Sequence, residues 1–81
     1  RIMLNINSAV TEVKNSFPDV IIKKGLEYHG AFVFLVQPKD LDEFPIFVAI
    51  NSKTKEVSDL AFDEIEDPME FQSMFLTAKE F

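Results

Sequence analysis

Cysteine and tryptophan are absent from the 81 residues, while glycine, histidine and tyrosine occur only two, one and one times. Without thiols there is no disulfide framework, no thiolate zinc or iron–sulfur ligation and no cysteine nucleophile, and a lone His29 leaves out imidazole-rich metal sites. Gly25 and Gly30 are too few to build the glycine-rich phosphate loops of nucleoside triphosphate or dinucleotide sites. Long apolar runs are missing as well. The longest, Ala31 to Val36, is of strand length, whereas a membrane-spanning helix needs about 20 residues. Near the start of the chain, Asn5, Asn7 and Ser8 interrupt the apolar residues Ile2, Met3 and Leu4 before a signal-peptide core can form. A soluble, cytoplasmic protein without membrane contact is expected. Bases are scarce: 8 against 14 acids, for a net charge of -6. Direct nucleic-acid binding needs clustered Lys and Arg, so it is not expected.

The residues that are present describe a folded domain. Hydrophobic residues make up 47% and aromatic residues 12%, which is too apolar for disorder and too short for two cores. One domain over residues 1–81 is expected, with 1–4 outside its organised part. At this size folding hides roughly 60% of the surface the unfolded chain exposes, so a partner or an oligomer would add needed stability. Charge is unevenly placed. Residues 1–30 carry four bases against three acids, and residues 31–81 carry four against eleven. Asp59, Asp63, Glu64, Glu66, Asp67 and Glu70 form a run without a base. A solvated face is the plain reading of such a run, and a docking patch for a basic partner is the sharper one.

Ile6, Ala9, Val10, Val13 and Phe17 share one stripe of a 3.6-residue period, with Asn5, Asn7 and Ser8 as competent N-caps and Pro18 as a stop. From Asp19 the period becomes two, placing Val20, Ile22, Lys24, Leu26 and Tyr28 on one face, with Gly25 as a candidate bulge. His29 and Gly30 suit a tight hairpin turn into Ala31–Gln37. That strand and Ile46–Ile50 are apolar on both faces, and a loop bounded by Pro38 and Pro45 joins them. Asn51–Glu56 is the next reversal and Val57–Phe62 a fourth strand. Asp67 as N-cap, Pro68 after it and Glu70 three residues beyond the cap open a second helix as a capping box. Its stripe of Phe71, Met74, Phe75 and Ala78 predicts a helix to the chain end. The fold class is therefore α+β: helix, four-stranded antiparallel meander, helix, with both helices on one face of the sheet.

Little here supports catalysis, and no cofactor or metal is expected. His29 sits in a turn with only Glu27 near in sequence to orient it, and Tyr28 is a strand residue with its hydroxyl at the rim. Asp40, Asp42 and Glu43 lack the turn glycine and terminal Glu of a calcium loop. Two helices on one face leave the other face of the sheet bare. Either Phe32 and Phe34 or their neighbours Val33 and Leu35 should then point outward, and Phe47 raises the same question. A bare apolar face is an interaction surface, most simply for a second copy. The candidate interaction residues are Phe32, Phe34 and Phe47 with the acids Asp59, Asp63, Glu64 and Glu66.

The segment Phe47–Val57, ending in Asn51-Ser-Lys-Thr-Lys-Glu-Val57, followed by Phe62 and by Glu66-Asp-Pro-Met-Glu-Phe71, resembles small uncharacterised proteins encoded by phages and prophages of Gram-positive bacteria. The likeness covers about Phe32 to Phe71, with Lys55 where that group has glycine, so a different turn geometry is expected here. The resemblance implies a non-catalytic accessory or structural role and transfers no catalytic residue; with the bare sheet face, the leading expectation is an assembly accessory or small oligomer acting by protein contact, with a homodimer as its simplest form. The same turn is also similar to the end of a PepSY domain, which implies an inhibitory module that binds a protease or envelope enzyme. A third reading is an acidic mimic of nucleic acid, with Asp59 to Glu70 and Asp42 and Glu43 in one line facing a basic host protein.

Overall fold

A computed structural model of the chain describes residues 5–39, 45–60 and 65–81. Asn5 opens the first helix, α1 (Ile6–Ser16), its side chain accepting from the Ser8 N–H at 2.8 Å; the chain leaves the helix at Phe17, ahead of Pro18. β1 (Val20–Tyr28) and β2 (Ala31–Pro38) then pair antiparallel around His29 and Gly30. Both turn residues have positive φ, +48° and +81°. Two successive residues in that region match the right-handed twist of the strands they join, so the hairpin closes with two residues. β3 (Ile46–Asn51) and β4 (Val57–Leu60) continue the meander. In the turn between them, Asn51 Oδ1 accepts from the N–H groups of Lys53 and Thr54, and Lys55 takes φ +64°. Lys55 thus adopts the backbone conformation that glycine favours. Ser52 is buried and donates through its hydroxyl to the Gly30 carbonyl at 2.8 Å, tying the two turns at the same end of the sheet.

The second helix, α2 (Pro68–Leu76), starts at Asp67, whose carboxylate accepts from the Glu70 N–H at 3.1 Å. It does not run to the chain end. Thr77 closes it, its N–H turned back to the carbonyls of Met74 and Phe75, and Lys79–Glu80 then form a two-residue strand, β5, against Lys24 and Gly25 of β1. The sheet therefore has five strands, in the order β4-β3-β2-β1-β5, all neighbours antiparallel. α+β with an antiparallel sheet stands, and the four-stranded version of it is corrected by the C-terminal strand.

The placement of the helices is the larger correction. α1 lies on one face, where Ala9 and Val13 pack with Ile22, Phe32, Phe34, Val36, Val48 and Ile50. α2 lies on the other, where Phe71 packs with Leu26, Tyr28, Val33 and Ile65, flanked by Phe47, Met74 and Phe75. Alternation along β2 sends Phe32, Phe34 and Val36 to α1 and Val33 to α2, so a strand apolar on both faces is covered on both.

β1 obeys alternation only in two pieces. Its pairing with β2 shifts between Ile22, opposite Val36, and Lys24, opposite Leu35, leaving Lys23 as an extra residue. Val20 and Ile22 consequently join the α1 face, while Leu26 and Tyr28 join the α2 face, instead of sharing one. Gly25 is not the bulge. It stands opposite Phe34, and a Cβ there would overlap the Phe34 ring and come within 3.1 Å of Phe81. Glycine at this point makes room for Phe34 to lie across β1 beside Phe81, whose ring centroid is 6.0 Å away.

Candidate interaction surfaces

The seven residues expected to form a contact surface have separate fates. Phe32 and Phe34 are 5% and 0% exposed, held beneath α1, so neither offers a surface. Phe47 is half-buried beneath α2, with its ring edge-on to Phe71 and Phe75 at centroid distances of 5.4 and 5.5 Å. The bare sheet face that motivated these three does not exist, because one helix covers each side. Asp59 and Glu66 are exposed. Asp63 and Glu64 lie outside the described residues, as do Asp42 and Glu43.

The acidic run is also split by the sheet. Asp59 lies in the cross-strand row of Val48, Phe34 and Gly25, and the Val48 and Phe34 side chains belong to the α1 face. Glu66, Asp67 and Glu70 cluster instead around the start of α2, on the opposite face. Strand alternation, which cannot be read from acid spacing alone, therefore removes Asp59 from any single line with the others.

Two of the three acids at the start of α2, Asp67 and Glu70, have local roles. Asp67 caps the helix, and the dipole favours negative charge there. Glu70 does not reach back to complete a capping box. Its carboxylate lies 3.2 Å from His29 Nε2, forty-one residues away, with the two side chains 53% and 48% exposed. At that exposure an ion pair to protonated His29 contributes about 0–1 kcal/mol. The contact links the β1–β2 turn to α2, and sequence proximity, which suggested Glu27, could not reveal it. His29 also stacks on Tyr28, ring centroids 4.0 Å apart and nearly parallel. The Tyr28 hydroxyl is not at the rim. Its oxygen is buried and has no hydrogen-bond partner among the described residues. At the other end of α2, Lys24 reaches from β1 to the Phe75 carbonyl at 3.5 Å and lies 5.4 Å from the Phe75 ring centroid. That base stands where the helix itself has none in its last turn.

Three surfaces remain. Small side chains at Ala31, Ala49 and Ser58 leave the α2 face low near the tied turns, forming shallow grooves that Tyr28, Leu60 and Ile65 border on one side and Asn51 and Thr54 on the other. A second groove of about 320 Å³ lies between α1 and the edge of β1, lined by Val10, Lys14, Val20, Ile21, Ile22 and Phe81. The third is the outside of α2. Met69 and Leu76 are each 76% exposed, seven residues apart on one stripe, opposite the side that buries Phe71. Sequence reasoning placed only the inner stripe of this helix.

Among the described residues no three His, Asp or Glu side chains gather where a metal ion could sit. No described helix is long and apolar enough to cross a membrane. No protein-family model, no curated protein and no solved structure matches the chain.

Proposed function

We propose that the protein works by protein contact and not by catalysis, as a small assembly accessory of the kind implied by the phage and prophage resemblance, and that self-association is its mode of action. The observation that carries this reading is the outer stripe of α2. On the side of α2 away from the sheet Met69 and Leu76 are three-quarters exposed, with the exposed Gln72 and Ser73 between them. Burying such a side chain fully is worth about 1.5–3 kcal/mol, so an interface centred on both has a real driving force. The contact moves from the sheet, whose faces are occupied, to the helix that closes one of them. Glu66, Asp67 and Glu70 border the stripe and set its charge.

Sedimentation of the protein over a wide concentration range tests the reading. The native chain should gain mass with concentration, and the double substitution Met69→Lys, Leu76→Lys should remain monomeric with an unchanged far-ultraviolet circular dichroism spectrum. A native chain that stays monomeric at every concentration defeats self-association.

A further inference from the structure

We propose that Lys79–Phe81 is a latch on the edge of β1, held there by the Phe81 ring in a notch at Gly25, and that it opens while the rest of the sheet stays folded. The latch does not depend on the reading that α2 is a contact surface.

The notch is built into β1. Gly25 has no side chain, the Phe34 ring lies across the strand at that point, and the Phe81 ring stands over the place with its centroid 6.0 Å from that of Phe34. A Cβ on Gly25 would overlap Phe34 and come within 3.1 Å of Phe81, so the absence of a side chain is what admits both rings. Phe34 is 0% exposed beneath a partner that is itself 44% exposed.

The rest of the attachment is slight. β5 pairs with Lys24 and Gly25, and the Phe81 N–H donates to the Lys23 carbonyl at 3.0 Å. Lys79 and Glu80 are exposed, and the Lys79 ammonium reaches the surface Asn7 Oδ1 at 3.5 Å. Ala78, half-buried against the α2-face cluster, anchors the segment at its base. β1 is paired with β2 from Val20 to Tyr28, so it keeps its place when β5 leaves. Short exposed pairings open at low free energy, whereas the buried strands of a sheet open only with the whole fold.

Opening changes the edge. No strand pairs with Val20–Ile22 on the β5 side among the described residues. Without β5 the unpaired edge runs from Val20 to Gly25, and the Phe34 ring is uncovered within it. An unpaired apolar edge is a template for other strands, and the closed latch shortens and covers this one.

Hydrogen exchange of the whole protein, followed residue by residue by NMR, tests the latch. The Phe81 bond to Lys23 and the register of β5 direct the Gly25 N–H towards β5, and alternation directs that of Leu26 towards β2. In the native protein the Gly25 amide should be at least about tenfold less protected than the Leu26 amide, and its exchange should depend less on urea, because latch opening exposes little surface. Phe81→Ala should speed Gly25 exchange by about tenfold, through loss of a half-buried ring, and Lys79→Ala should speed it less. The methyl shifts of Val13, Val36 and Val48 should stay in place in both variants, because the α1 face is not involved. Equal protection and equal urea dependence at Gly25 and Leu26 in the native protein would mean that β5 leaves only when the whole fold opens, and the latch falls. A Gly25 rate unchanged by Phe81→Ala would mean that backbone pairing and not the ring holds the strand, which also overturns the proposal.

Discussion

The two faces of the sheet are filled in different ways. Under α1, Phe34, Val13, Val36, Val48 and Ile50 reach 0% exposure, and the cluster contains Ala9, where the helix comes close to the strands. Under α2, a set of rings does the work: Phe71 touches Tyr28, Phe47 and Phe75 at centroid distances of 5.2, 5.4 and 5.8 Å, but Phe47, Met74 and Phe75 are only half-buried. The first face is closed and aliphatic around two phenylalanines. The second is aromatic and incomplete, because the short α2 leaves Ala31, Ala49 and Ser58 uncovered. The strength of the fold should therefore sit on the α1 face, and its capacity for contact on the α2 side.

The largest expected effect comes from emptying the closed face. Phe34→Ala should cost about 3–5 kcal/mol, and Phe71→Ala should cost less than Phe34→Ala, because the open face can relax or admit water. Urea denaturation of both variants checks the order. Equal losses would mean that the two faces are packed alike. Gly25→Ala should cost about 1–3 kcal/mol, since the Phe34 ring must move away from the new methyl group. A neutral result would remove the packing role given to that glycine.

Much of this contrast was hidden from sequence reasoning for physical causes that can be named. The two helical stripes, the Asp67 cap and the His29–Gly30 turn depend on neighbours within a few residues and local pattern finds them, whereas it leaves Asn5, Asn7 and Ser8 as equal caps and carries the second stripe to Ala78, past the end of α2 at Leu76. Which face a helix covers depends on the path of the connecting chain, and an amphipathic stripe says nothing about that path. The extra residue at Lys23 reverses the alternation of β1 midway, which a regular two-residue period cannot show. β5 was hidden because its two residues gain their partners only from β1. The candidate site suffered most. Phe32 and Phe34 read as surface residues only if both helices share a face, and the Glu70 partner of His29 is a tertiary contact.

Smaller perturbations sharpen the comparison. Lys55→Gly should stabilise the β3–β4 turn by about 1 kcal/mol, because lysine pays for a left-handed backbone that glycine adopts freely. Calorimetry should show a higher Tm, and a lower one would mean that the lysine side chain makes a compensating contact. Tyr28→Phe should be neutral or slightly stabilising, since it removes a buried hydroxyl without a partner and keeps the ring between His29 and Phe71. A loss above about 1 kcal/mol in denaturant would show that the hydroxyl has a partner, such as a bound water.

The central claim is that one helix covers each face of the sheet, and side-chain proton contacts measured by nuclear Overhauser spectroscopy test it most directly. The Val13 methyl groups should contact side chains of the set Phe34, Val36, Val48 and Ile50, while the Phe71 ring should contact Tyr28, Val33 and Phe47. Contacts from Phe71 to Ile22, Val36 or Val48 would place both helices on one face and contradict the account.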